Sequence, residues 1–313
     1  MGGEREAQEG GGDPGPSANR LIPFSDRLAA LVAERSSQLC LGLDPDPAAL
    51  DPALGPADQL DPAARAGAAI EAHCRALIDA AGPACIAAKL QLACFERLGV
   101  PGWAALAAVV DAAREAGLLV IADGKRGDVP VTAAAYGQGL LGSTSTPWGG
   151  VPGLGADAIT ANPLLGSDSL EPLLDAAAAA GAGVFVLVRT SNPGAAEIQD
   201  VAAPSDPLHE RIAGMVDSLA DRLAGRSGLS GVGAVIGATA PAVLPRLREL
   251  MPRAVFLLPG VGPQGGRPEE LGHAFGEDAA SALVSASRGI AEAEDPAATA
   301  EQLRAAVWDA GPG

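Results

Sequence analysis

Leu118-Leu-Val-Ile-Ala-Asp-Gly-Lys-Arg-Gly-Asp-Val-Pro-Val-Thr132 runs from an unbroken apolar segment straight into Asp123, Lys125 and Asp128. A short apolar run closed by charges is the pattern of a buried strand that delivers polar side chains at its exit. Strand side chains alternate faces, so Asp123 and Lys125 point the same way, and Asp128 falls in the turn beyond. The chain holds 21 Lys plus Arg but only two lysines, Lys89 and Lys125. Unlike arginine, a lysine ammonium can give up a proton, so lysines confined to strand ends point to chemistry. A structural ion pair is the alternative that the triplet alone leaves open.

Working outward, apolar runs and helical stretches alternate along the chain. The spacing predicts a leading helix over Phe24 to Arg35 with Ser25 as N-cap. Strands are expected at Gln38 to Asp44, Pro83 to Gln91, Leu118 to Asp123, Asp157 to Pro163, Gly183 to Ser191, Gly231 to Thr239, Ala254 to Gly262 and Ser281 to Gly289. Helices are expected between them at Pro62 to Ala81, Trp103 to Ala116, Val131 to Leu141, Ser169 to Ala180, Pro207 to Ala224, Ala242 to Leu250 and Glu269 to Phe275, with a closing helix from Pro296 to Ala310. Gly142 to Gly155, rich in Gly, Ser, Thr and Pro, is expected to be an exposed loop. About eight strand and helix pairs over roughly 275 residues predict an α/β fold, a closed (β/α)8 TIM barrel. No Gly-x-Gly-x-x-Gly follows the first strand, which weakens a dinucleotide-binding sheet. Residues 1–19, rich in Gly, Glu and Pro without an apolar core, are expected to be a disordered tail, leaving 20–313 as one domain.

Composition narrows the function. A net charge of −17 and 3% aromatic residues speak against nucleic acid as a partner, and no apolar stretch suggests a membrane span. Cys40, Cys74, Cys85 and Cys94 lack CxxC spacing and His73, His209 and His273 are scattered in helical segments, so no metal site and a reducing cytoplasmic setting are expected.

Barrel sites lie at the C-terminal ends of the strands. The chain places Asp44, Lys89, Asp123, Lys125, Asp128, Asn162, Arg189, Thr190, Ser191, Thr239, Gln264 and Arg288 there. The turns Pro259-Gly-Val-Gly-Pro-Gln-Gly-Gly266 and Ser287-Arg-Gly289 follow the last two strands, where barrels commonly hold a phosphate. Asp44 and Asn162 each precede a proline and serve equally well as turn residues. Arg126 faces away from Lys125 and is expected to brace the barrel wall or a loop.

Asp123-Gly-Lys125-Arg-Gly-Asp128 resembles the Asp-x-Lys-x-x-Asp signature of the orotidine 5'-phosphate decarboxylases, in the form of their longer bacterial branch. Leu41-Gly-Leu-Asp44-Pro, Ala88-Lys89-Leu-Gln, Asp157-Ala-Ile-Thr-Ala-Asn-Pro, Arg189-Thr-Ser-Asn-Pro-Gly194, Pro259 to Gly266 and Ser287-Arg288-Gly agree, in the expected order. Val129 stands where the usual pattern has Ile, and Pro130 follows it. The resemblance implies a homodimeric barrel that converts orotidine 5'-phosphate to UMP and CO2 without metal or organic cofactor. It implies Lys125 as proton donor to C6, Asp123 against the substrate carboxylate, Lys89 holding the ribose and Asp123, and Asp128 and Thr132 reaching the partner subunit's site. It further implies Asp44 on a ribose hydroxyl, Ser191 on the pyrimidine with Thr190 as the competing choice, and Gln264 with Arg288 on the phosphate.

Three other functions compete. A magnesium-dependent sugar-phosphate decarboxylase or synthase of the same barrel type is expected to carry a carboxylate where Lys89 stands, since an ammonium repels the metal. A Schiff-base aldolase needs an uncharged Lys125, which the neighbouring carboxylates oppose. A non-catalytic nucleotide-binding barrel leaves both lysines unexplained.

Overall fold

The computed structural model describes residues 22–56, 61–202 and 206–312. The tail expected over 1–19 lies outside the described residues. Eight parallel strands close into a barrel in chain order: β1 Leu39–Leu43, β2 Ala87–Gln91, β3 Leu119–Arg126, β4 Ala158–Ala161, β5 Gly183–Arg189, β6 Ser230–Ile236, β7 Ala254–Pro259 and β8 Ala282–Ala286. The ring is sealed by β8 pairing with β1, Leu39 opposite Val284 and Leu41 opposite Ala286.

Both faces of these strands are covered, which is why they read as continuous apolar runs rather than alternating ones. Alternation still decides where each side chain goes. Leu39, Leu41, Ala88, Leu90, Val120 and Ala122 face outward into the core shared with the surrounding helices. Cys40, Ala87, Leu119, Ile121, Phe185, Val235, Leu257 and Leu283 cluster with Phe24, Leu28 and Val32 of the leading helix Phe24–Arg35. That helix covers the starts of the strands. Phe24 packs edge-on against Phe185, and half-buried Arg27 bonds Asp157 at 2.5 Å and the carbonyl of Gly181. The barrel is therefore sealed by apolar packing at one end, and its other end is left for polar groups.

Several expectations need correction. Ser25 is not the cap: Pro23 occupies that position without a side-chain bond, and the Ser25 hydroxyl lies buried inside the first turn with no partner among the described residues. The segment 142–155 is exposed but not irregular. Ser143–Thr146 and Gly149–Pro152 pair as an antiparallel hairpin, with Gly149 at φ 118 in the turn and Trp148 92% exposed at the tip. Its Ser and Thr alternate with few apolar residues, so no buried face announced a strand. The helix expected from Trp103 starts at Val100, with Pro101 in its first turn. The one expected over Pro207 to Ala224 runs Leu208–Leu219 and ends in a 3-10 turn. Glu269 to Phe275 is two 3-10 turns. A short helix, Ala195–Gln199, was not anticipated.

Candidate active site

Lys89 and Asp123 continue the inward-facing series of β2 and β3, one step above the apolar lumen residues Ala87 and Ile121. They are therefore the first charges met at the mouth, and each is only 5% exposed. Lys89 Nζ lies 2.7 Å from Asp123 Oδ2 and 3.6 Å from Asp44 Oδ1. Lys125 Nζ lies 2.6 Å from the other oxygen, Asp123 Oδ1. One carboxylate is thus gripped by two ammonium groups, one buried and one facing the opening.

Alternation alone does not place Lys125. Strand β3 runs on to Arg126, past the expected end at Asp123, and its register against β4 slips between Ala122 and Arg126. Lys125 adopts φ 49, a left-handed conformation uncommon for a residue with a side chain. Its amide donates to the Thr160 hydroxyl at 2.8 Å, and that hydroxyl donates to Asp123 Oδ1 at 2.8 Å. Arg126 leaves the site as expected, pairing with Glu96 and lying over the Tyr136 ring.

Burial disfavours the charged form of Asp123, but the Lys89 and Lys125 ammonium groups outweigh it and hold the carboxyl well below the usual range. Burial likewise works against the Lys89 ammonium, yet Asp123 and Asp44 raise its pKa above the usual lysine value. Beneath them burial pushes the Cys40 thiol up to about 12, so it stays a neutral part of the lumen.

These groups floor a cavity of about 610 Å³. Asp44, Lys89, Asp123, Lys125, Ser191, Gln264 and Arg288 all line it, so seven of the expected site residues meet in one space. Asp128 and Thr132 do not line it. Asp128 instead accepts the backbone N–H of Val129 at 2.8 Å, beside exposed Val129 and Val131. Asn162 bonds the amide of Leu164, a turn role.

At the far side, Ser191 Oγ donates to Gln264 Oε1 at 3.1 Å, and Thr239 donates to the Ser191 carbonyl. The loop that carries Gln264 turns through Gly260 at φ 106 and Gly262 at φ 87, and a Cβ on Gly260 would sit 3.2 Å from both Gln264 Oε1 and Ser191 Cβ. Only glycine lets the chain pass there. The apolar wall comes from Leu187, Val235, Leu257 and Ile198.

Sequence reasoning missed Thr160, Gln91 and Gln199, all of which line the cavity. Gln199 accepts the Thr190 amide at 2.8 Å, Asp200 is clasped by Arg189 at 2.7 and 3.0 Å, and buried His209 bonds the Gln199 carbonyl at 2.8 Å. The Arg189 hydrogen bonds lower the pKa of Asp200. Thr160 lies in Asp157-Ala-Ile-Thr-Ala-Asn-Pro, two residues before Asn162, but its role depends on a neighbouring strand. Cys40, Cys74 and Cys85 are buried, and all four cysteines are free.

The model of the orotidine 5'-phosphate decarboxylase / HUMPS family matches residues 37–303. An orotidine 5'-phosphate decarboxylase of Rhodopirellula baltica is 38% identical over 273 residues, 86% of this chain and 88% of its own. One from Deinococcus radiodurans is 40% identical, covering 85% of this chain and 88% of its own. Among solved structures, Leishmania donovani OMP decarboxylase is similar with a TM-score of 0.71 and 33% identity, over 92% of this chain and 99% of that one. Leishmania donovani UMP synthase gives a TM-score of 0.73 and 35% identity over 91% of this chain, which spans only 56% of that longer protein.

Proposed function

The chain belongs to the orotidine 5'-phosphate decarboxylase family, and from that premise we propose that it converts orotidine 5'-phosphate to UMP and CO2 with Lys125 as the proton donor to C6. The observation that carries this is the Lys89–Asp123–Lys125 array at the floor of a cavity whose far rim holds Gln264 and Arg288.

Loss of CO2 from C6 leaves an electron pair on the ring carbon, and a fixed positive charge at that carbon stabilises it in a dry site. Lys125 supplies that charge and then the proton, so that the new C6–H bond forms as Lys125 becomes neutral. Asp123, with its carboxylate tied on both oxygens, cannot swing away from the substrate carboxylate. Lys89 and Asp44 take the ribose hydroxyls, Ser191 the pyrimidine, and Gln264 with Arg288 the phosphate. Binding energy from the phosphate, remote from C6, is available to hold the ring in place. Asp128 and Thr132 lie outside their own cavity, flanked by exposed valines, which supports a homodimer in which they complete the partner's site. Residues 20–313 act as one barrel unit. Free thiols and the absence, among the described residues, of a helix long and apolar enough to cross a membrane accord with work in the cytoplasm.

The magnesium-dependent alternative is opposed by Lys89. Its charged ammonium occupies the space between Asp123 and Asp44, where a cation would have to sit. The proposed reaction uses protein groups alone.

The test is an ultraviolet assay of orotidine 5'-phosphate turnover with and without EDTA, on wild type and Lys125→Ala. Wild-type turnover unaffected by EDTA, and a loss on the order of 10³-fold or more in Lys125→Ala with UMP binding retained, are expected. Decarboxylation surviving in Lys125→Ala, or strict dependence on magnesium, overturns the assignment.

A further inference from the structure

Thr160 belongs to β4, two strand residues inside the barrel wall, and is 1% exposed. A threonine hydroxyl offers one donor and two acceptor positions. Here the donor goes to Asp123 Oδ1 at 2.8 Å and an acceptor takes the Lys125 amide at 2.8 Å. Lys125 Nζ closes the circuit on the same Asp123 oxygen at 2.6 Å. Both ends of Lys125, backbone and ammonium, are therefore referenced to one buried hydroxyl.

The arrangement answers a local difficulty. The slip in register between Ala122 and Arg126 breaks the β3–β4 ladder where Lys125 lies. The left-handed conformation at φ 49 costs about 1 kcal/mol or more for a residue with a Cβ, and persists only where its surroundings hold it. Released, Lys125 would relax toward extended backbone and carry its ammonium away from Asp123. A β-branched side chain on a strand has few χ1 choices, so the hydroxyl direction is itself set by the backbone.

We infer that Thr160 is a positioning residue for proton transfer: its hydroxyl holds the left-handed backbone of Lys125 and the Asp123 carboxylate together, and so sets where the Lys125 ammonium meets C6. The inference rests on Lys125 being the proton donor.

Thr160→Val keeps the shape and removes the hydroxyl, Thr160→Ala removes it without filling the space, and Thr160→Ser keeps it. Steady-state kinetics with orotidine 5'-phosphate are read beside UMP affinity and thermal stability. In both variants without a hydroxyl, kcat falls by roughly 10- to 100-fold, the loss expected when a reacting group is misplaced by a fraction of an ångström to 1 Å. KM and UMP affinity stay within about threefold, because the contacts assigned to ribose, pyrimidine and phosphate are untouched, and Thr160→Ser recovers most of kcat. A role in folding alone would lower stability and the fraction of UMP-binding protein while leaving kcat per binding site unchanged. The inference is overturned if kcat per UMP site stays within about twofold in Thr160→Val or Thr160→Ala, if UMP affinity falls in parallel, or if Thr160→Ser is as slow as they are. Should Thr160→Val fail to fold, Thr160→Ala carries the same comparison. An inactive Lys125→Ala beside a fully active Thr160→Val sinks only this inference, whereas an active Lys125→Ala sinks the proposed function itself.

Discussion

Lys89 Nζ stands 2.7 Å from Asp123 Oδ2, and each side chain is 7% exposed. A buried pair of this kind makes stability depend on pH with a known sign. Asp123 has its pKa lowered from the ordinary 3.8, so its contribution is present above about pH 4 and is lost as pH falls through the native value. Lys89 has its pKa raised from the ordinary 10.5, so its contribution is complete below that pH and is lost as pH rises through the native value. Asp123→Asn should therefore flatten the acid-side loss of stability below about pH 4. Near pH 7 it should cost about 3–5 kcal/mol, because Lys89 keeps only the longer contact to Asp44. Urea unfolding of both proteins across pH checks this, and parallel curves would refute it.

If Asp128 completes the partner's site, two inactive variants can repair each other. In a mixed dimer of Lys125→Ala with Asp128→Ala, one site receives both mutations and the other receives neither. Each variant alone should be nearly inactive, and subunit exchange between equal amounts should restore roughly a quarter of wild-type activity. No recovery, in a sample where exchange is demonstrated by mass, would place Asp128 in its own subunit's site or outside catalysis.

The Ser191 turn rests against glycine. A Cβ on Gly237 would fall 2.6 Å from Ser191 Cα and 2.7 Å from its amide nitrogen, so backbone must move. Gly237→Ala should displace Ser191 and its bond to Gln264, raising KM by about tenfold through a strain of about 1–3 kcal/mol. Steady-state assays that leave KM unchanged would show that Ser191 is not needed where it stands.

Ser25 tests the correction at the leading helix. An N-cap serine replaced by alanine would cost about 1 kcal/mol. A buried hydroxyl without a partner carries a desolvation penalty instead, so Ser25→Ala should leave the melting temperature unchanged or raise it. Calorimetry showing a clear fall would restore the capping role.

Barrel strands, the order of polar groups at their ends and the presence of Lys89, Asp123 and Lys125 among those groups were legible because each is encoded within a single segment. An apolar run covered on both faces, closed by a charge and followed by a helix, needs no distant contact to be recognised. The hairpin over 143–152 was not legible, since it buries no face and leaves no periodic trace. Nor was the cap position, where Ser25 suits the local pattern but the chain enters the helix through Pro23.

The amino-acid sequence by itself thus determined that this is an eight-stranded barrel with two lysines and their carboxylates at its mouth. Only the tertiary structure decided that Lys125 takes a left-handed backbone, that Thr160 ties it to Asp123, and that Asp128 stays out of its own cavity. Hydrophobic periodicity acts along one segment, whereas a hydrogen bond from residue 125 to residue 160 exists only once closure of the barrel has set the register between β3 and β4.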